Sequence, residues 1–118
     1  MDYRVTLTPQ ATEQIQQTIL YIAQTLQAPQ AAKHWADLLY NKIAGLCFMP
    51  ARHPLTEEEP WRTEGIRKMP VKNFLIYYLI DEESKNVIVT AVIYGRRDRL
   101  AALAHINQDQ IKSKITTT

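Results

Sequence analysis

The sequence predicts an α+β fold: an N-terminal strand and an antiparallel helical hairpin, then a three-stranded antiparallel β-meander and a short C-terminal helix. Apolar residues of the first half recur every three or four positions, which is the period of amphipathic helices. Those of the second half form short runs separated by turn residues, a pattern typical of strands. A length of 118 residues suits one domain, which we expect to span residues 1–118.

The first two elements are a strand and a helix. Apolar and polar residues alternate over residues 3–7, as they do in a half-buried strand. Thr8 and Pro9 then supply a hydroxyl N-cap and a proline at the first helical position, so a helix begins there. We expect it to run to about Gln27. Its apolar face consists of Ile15, Ile19, Ile22 and Leu26.

A second helix follows almost at once, because Pro29 interrupts the first and the apolar pattern resumes after it. Its apolar face consists of Trp35, Leu38, Leu39, Ile43 and Leu46. It ends before Pro50, and the short connection predicts an antiparallel helical hairpin. Residues 50–64, with three prolines and a run of three glutamates, predict an exposed loop.

The second half predicts the meander. Its strands are residues 66–69, 74–80 and 87–94. Pro70 indicates that the first of them lies at an edge of the sheet. The second is apolar on both faces and should be central, with Tyr77 or Tyr78 in the core. We expect a short helix over residues 100–104 and a frayed tail over residues 107–118.

Several classes of protein are excluded or disfavoured. The single cysteine, Cys47, excludes an internal disulfide framework, and the apolar stretch around it predicts a buried free thiol. The N-terminus lacks the basic and apolar regions of a signal peptide. No apolar run approaches the roughly 18 residues of a membrane helix. We therefore expect a cytoplasmic protein that does not associate with membranes.

The sequence contains no standard catalytic motif: no nucleophile elbow, no glycine-rich phosphate loop and no metalloprotease motif. Its three histidines are scattered, and no His, Cys, Asp or Glu residues have the spacing of metal ligands. We therefore predict that the protein needs no cofactor and no metal.

A set of basic residues remains as the candidate binding site. Residues 1–61 carry four Lys/Arg and six Asp/Glu, whereas residues 62–118 carry ten and six, so the second half is the basic one. The candidate residues are Arg67, Lys68, Arg96, Arg97 and Arg99. If the meander brings them together, arginine forks would bind phosphates or carboxylates. The alternative is a solvated surface that Glu64 and Asp98 partly neutralise.

In order and spacing, several segments resemble the RelE/ParE family of bacterial toxins. They are the helix start at residues 7–11, the helix end at 46–50, Gly-Ile-Arg at 65–67, the apolar-Tyr strand at 74–78 and the terminal Gly-Arg-Arg-Asp at 95–98. The likeness covers about residues 3–103 and is strongest to the ParE, or plasmid stabilization, branch. It implies a toxin of a type II toxin–antitoxin system that is neutralised by a cognate antitoxin.

The resemblance also implies which target the toxin has. RelE-type toxins cleave messenger RNA on the ribosome without a metal, using a basic cluster and a terminal tyrosine. Arg97 matches a family arginine and Arg67 a strand lysine, but Phe74 replaces the central-strand arginine and Leu103 the tyrosine. ParE-type toxins lack these groups too, and they bind DNA gyrase. A gyrase-binding toxin that is not an enzyme is therefore the leading hypothesis. The alternatives are an altered metal-independent endoribonuclease, an inactive toxin and a small nucleic-acid-binding domain.

Overall fold

The computed structural model describes residues 2–94. The helices are α1 (Pro9–Leu20), which continues as a π-helical segment over Tyr21–Thr25, and α2 (Pro29–Ala44), which is followed by 3₁₀ turns at Gly45–Cys47 and Pro50–Arg52. The strands are β1 (Arg4–Leu7), β2 (Arg67–Val71), β3 (Phe74–Asp81) and β4 (Asn86–Tyr94). The helical hairpin and the order of elements agree with the prediction as far as residue 94.

The four strands form one sheet in the order β1-β4-β3-β2. The last three pair antiparallel, as the predicted meander requires, whereas β1 adds to β4 in parallel. The parallel pairing places Val5 opposite Val87 and Thr6 opposite Ile88. The sheet is therefore mixed. The pattern of residues 3–7 alone did not specify which strand β1 would join.

The local signals at the start of α1 act as the sequence suggested. The Thr8 hydroxyl accepts a hydrogen bond from the Ala11 backbone N–H at 3.2 Å, which is an N-cap contact. The same hydroxyl donates to the Thr90 carbonyl oxygen at 3.3 Å. One turn later, the Gln14 side chain accepts from the Val92 backbone N–H at 2.7 Å. These bonds fix the first turns of α1 against β4.

Both faces of the sheet are covered, which explains why β3 is apolar on both sides. On one face, the hairpin packs Ile15, Leu39, Ile43 and Leu46 against Ile76, Tyr78, Val87 and Val89. On the other face, Ile66 and the half-buried Trp61 pack against Tyr77, Ala91 and Ile93. Tyr77 and Tyr78 are both fully buried, so the prediction of a tyrosine in the core is confirmed.

A β-bulge adjusts the pairing of β3 with β4. Tyr77 lies opposite Ala91 but Tyr78 lies opposite Val89, so Thr90 is the extra residue. The Thr90 hydroxyl donates to the Tyr77 carbonyl oxygen at 3.2 Å. Because of the bulge, Val89 and Val92 face the helices although three positions separate them.

The structure differs from the sequence prediction in the burial of Cys47 and of the loop after α2. Cys47 is half-buried rather than buried, because it lies in the irregular turn after α2.

The loop over residues 50–64 is not wholly exposed, since Thr56 is buried and its backbone N–H donates to the Ile66 carbonyl oxygen at 2.8 Å. The same loop covers part of the outer edge of β2, because the Lys68 backbone N–H donates to the Pro54 carbonyl oxygen at 3.0 Å. The helix over 100–104 and the tail over 107–118 lie outside the described residues. Within residues 2–94, no helix has the length and apolar character that a membrane span requires.

Candidate functional site

The structure describes two of the five candidate basic residues, Arg67 and Lys68. They are neighbours on β2, and successive side chains of a strand point to opposite faces. Arg67 pairs with Tyr78 and shares the face of the helices with Met69 and Val71, whereas Lys68 pairs with Tyr77 on the other face. Their side chains therefore do not converge. The other three candidates, Arg96, Arg97 and Arg99, lie outside the described residues.

Arg67 is held in place by backbone carbonyl groups. It is half-buried, and its Nη1 donates to the carbonyl oxygens of His53 at 2.8 Å and Ala51 at 3.4 Å. Both acceptors are neutral, and within residues 2–94 the guanidinium forms no ion pair with a carboxylate. Arg67 thus presents a positioned positive charge beside the segment that follows α2.

Tyr78 lies next to Arg67 and anchors the same segment. Its hydroxyl donates to the Pro50 carbonyl oxygen at 2.5 Å. Burial raises the pKa of Tyr78 to about 12, although the nearby charges of Arg67 and Arg52 oppose that change. The phenol is therefore protonated at neutral pH, and its proton is already engaged in a hydrogen bond. It cannot act as a general base there.

His53 completes this group. Its ring meets the Tyr78 ring edge-on, with centroids 6.4 Å apart. Partial burial, and to a lesser degree the charge of Arg52, lowers the pKa of His53. At neutral pH the imidazole is therefore uncharged, and the positive charge of this region comes from the two arginines.

Arg52 was missed by the sequence reasoning, which placed residues 50–64 in an exposed loop. Its guanidinium donates to the carbonyl oxygens of Phe48, of Met49 at 3.1 Å and of Gly45 at 3.4 Å. These carbonyl groups belong to the turn after α2, and those of Gly45 and Met49 also accept the backbone N–H groups of Phe48 and Arg52. A basic residue just after a helix that ends in glycine was the signal available in the sequence.

Phe74 occupies the position where the family resemblance implies an arginine. It is 1% exposed and packs between Trp35, at 5.6 Å between ring centroids, and Tyr94, at 5.0 Å. The three rings form an aromatic cluster between α2 and the ends of β3 and β4. A guanidinium there would have to be buried among these rings.

The His, Cys, Asp and Glu side chains of the described residues are the possible metal ligands. Residues 2–94 contain no group of three or more His, Cys, Asp or Glu side chains that could hold an ion. The described groups at this site are a fixed positive charge, aromatic rings and backbone carbonyl groups.

Three solved structures of similar fold come from bacterial toxin–antitoxin systems. The chain matches the chromosomal ParDE system of P. aeruginosa with 12% identity and a TM-score of 0.65, covering 80% of this chain and 97% of that one. It matches the RelBE2 toxin–antitoxin complex of Mycobacterium tuberculosis with 19% identity and a TM-score of 0.57, covering 83% and 95%. It matches a mutant of the E. coli toxin RelE in the free state with 14% identity and a TM-score of 0.59, covering 90% and 95%. At these identities the likeness shows the fold alone.

Sequence comparison gives a more specific result. The family model described as "ParE toxin of type II toxin-antitoxin system, parDE" matches residues 5–99, which is most of the chain. Among curated proteins, the sequence has no match.

Proposed function

Because the chain belongs to the ParE toxin family of type II toxin–antitoxin systems, we propose that it arrests growth by binding and inhibiting DNA gyrase. A cognate antitoxin would neutralise it in the cytoplasm, where gyrase acts. Inhibition by binding requires a complementary surface and no catalytic acid or base.

The aromatic cluster around Phe74 is the observation that favours DNA gyrase over messenger RNA as the target. Cleavage of RNA at a ribose 2′-hydroxyl needs a base, an acid and cations placed around one phosphate. In the position implied for a strand arginine, this chain has a buried Phe74 packed against Trp35 and Tyr94. Apolar packing there favours a binding toxin.

The neighbouring polar groups support the same choice. Tyr78 is a buried hydrogen-bond donor whose pKa is raised to about 12, and Arg67 is bonded to the carbonyl groups of Ala51 and His53. Both side chains hold the segment after α2 in place. They are therefore engaged in structure rather than free to exchange protons with a substrate.

One observation favours a second function. Arg67 stands where the resemblance implies a strand lysine, and within residues 2–94 it forms no contact ion pair with a carboxylate. It would suit a phosphate. A metal-independent, ribosome-dependent endoribonuclease with an altered site is therefore the alternative function.

A pair of assays on the purified chain distinguishes the two. We expect the protein to inhibit DNA supercoiling by gyrase and to leave messenger RNA intact in a reconstituted translation reaction. Messenger RNA cleavage on the ribosome without an effect on supercoiling would instead establish the alternative. A mock preparation from cells that lack the toxin gene, purified in the same way, provides the control for contaminating nucleases.

The neutralising partner is tested separately. If a small open reading frame adjoins this gene, its product should restore growth when it is produced together with the toxin. An adjoining product that copurifies with the toxin but does not restore growth would not be the antitoxin.

A further inference from the structure

A concave surface lies where α2 ends and β1 begins. It is a cavity of about 440 Å³, lined by Tyr3, Phe48, Met49, Pro50, Ala51 and Arg52. Phe48 is 57% exposed and Met49 61%, the highest values among the large apolar side chains of residues 2–94. Two such side chains beside a concavity are a feature of contact sites, because exposing adjacent apolar groups to water is unfavourable.

The backbone conformation that exposes these two side chains is an unfavourable one. Met49 adopts a left-handed conformation, with φ 50° and ψ 56°, which residues bearing a side chain disfavour. The Arg52 guanidinium stabilises this turn through its bonds to the carbonyl oxygens of Gly45, Phe48 and Met49. Strain that the surrounding contacts maintain is often found at binding sites. A turn fixed in this way also loses little entropy when a partner binds.

The charge of the cavity indicates what its occupant carries. Arg52 is exposed, and within residues 2–94 it forms no ion pair with a carboxylate. Three of the five guanidinium N–H groups suffice for its three carbonyl acceptors, which leaves donors for a ligand. The Tyr3 hydroxyl, also in the lining, already donates to Glu82 at 2.8 Å, and Lys85 pairs with the same carboxylate at 3.2 Å. Arg52 is therefore the lining group suited to an incoming carboxylate.

We propose that this surface binds the antitoxin, by taking up an apolar side chain that is flanked by an Asp or Glu. The inference rests on the proposed function. The lining has one cation among mostly apolar residues, whereas a nucleic-acid site needs several cations along the phosphate backbone. A neutralising partner must also stay bound, and slow dissociation comes from apolar burial of this kind.

The probe for the test is the antitoxin identified by growth rescue, and the measurement is isothermal titration calorimetry. The double substitution Phe48→Ser and Met49→Ser should raise the dissociation constant at least 10-fold, because both apolar contacts are removed. Toxicity without antitoxin and the circular dichroism spectrum should be unchanged, since both side chains are exposed. Leu26→Ser is the matched control. Leu26 is a 50% exposed apolar residue at the connection between α1 and α2, so affinity should change less than about 3-fold.

The charge is tested with Arg52→Gln. This variant should bind the antitoxin more weakly and with a smaller dependence on salt concentration, whereas the Phe48 and Met49 double variant should keep the salt dependence of the wild type.

Three results would overturn the proposal. The first is wild-type antitoxin affinity in the double variant. The second is loss of toxicity from the folded double variant, which would assign the surface to the target. The third is weaker binding of a labelled single-stranded RNA with antitoxin affinity intact, which would assign it to nucleic acid. A wild-type chain that leaves DNA supercoiling by gyrase unaffected would overturn the proposed function itself, a result distinct from these three.

Discussion

At the scale of single residues, two side chains of the sheet hold the irregular segment after α2 in place. Tyr78 and Arg67 project from the sheet and donate to carbonyl groups of Pro50, Ala51 and His53. Each bond gives a backbone acceptor of this segment a side-chain partner, and unsatisfied acceptors are costly when buried. The segment after α2 is therefore held by the sheet beneath it.

His53 should give folding stability a dependence on pH. Its pKa is lowered in the folded protein, mainly by burial, so the unfolded chain binds a proton more readily. Its contribution to stability is complete above the ordinary imidazole pKa of about 6.5 and is lost as the pH falls through the lower folded value. We expect His53→Gln to reduce the loss of stability between pH 7.5 and pH 5.5.

Urea unfolding at the two pH values measures this effect. The backbone carbonyl group of His53, which accepts from Arg67, is retained in the glutamine variant, so that hydrogen bond is not the variable. His34→Gln serves as control, because His34 is exposed on α2 and the pH dependence should be that of the wild type. An identical loss of stability in wild type and His53→Gln would show that this imidazole does not contribute.

Individual residues also show where sequence reasoning reached its limit. The burial of Tyr77 and Tyr78 followed from a strand that is apolar on both faces, which is a local pattern. The carbonyl partners of Arg67 lie 14 and 16 residues earlier in the chain, in a segment without periodicity. Such contacts depend on how a loop crosses the sheet, and hydrophobic periodicity carries no information about that.

At the scale of elements, β3 is the strand on which the two cores depend. Ile76 is fully buried on the helical face, whereas the half-buried Leu75 belongs to the smaller cluster on the other face. We expect Ile76→Ala to lower the free energy of unfolding by roughly 2–5 kcal/mol, because a cavity would remain between the helices and the sheet.

The comparison for that prediction is Leu75→Ala, which removes a similar side chain from the same strand. Leu75 is only half-buried, so its loss should cost less. Thermal and urea unfolding of the two variants measure the difference. A midpoint that is unchanged by Ile76→Ala would contradict the role of β3 as the central strand.

The elements themselves were largely predictable, but their joining was not. The N-cap at Thr8, the break at Pro29 and the edge position indicated by Pro70 are local signals, and the structure follows each of them. The parallel pairing of β1 with β4 and the bulge at Thr90 arise from long-range fit. The bonds from Thr8 and Gln14 to β4 show what this fit requires.

At the scale of the whole molecule, the sheet separates two surfaces of different character. The helical hairpin covers one face, and residues 54–66 with Trp61 cover part of the other. Arg67 and Lys68 lie on opposite faces, so a single cationic surface cannot be formed by these two residues alone. If a basic surface contacts the target, we expect its remaining charges to include the arginines that follow β4 in the sequence.

Arg97 is the first of those arginines to test. Arg97 follows β4, the last strand of the meander, in sequence, and the resemblance matches it to a family arginine, so we propose that it contacts the target together with Arg96 and Arg99. Arg97→Ala should weaken growth arrest while the fold is retained, because a single surface charge contributes little to stability. It should also reduce the salt dependence of antitoxin association if the antitoxin covers the same surface. Growth after induction, with circular dichroism to confirm folding, measures the main effect.

Lys33→Ala is the matched control, since Lys33 is an exposed cation on α2 outside the basic set, and it should remain fully toxic. Full toxicity from a well-folded Arg97→Ala variant would exclude Arg97 from the working surface and direct attention to residues 100–105.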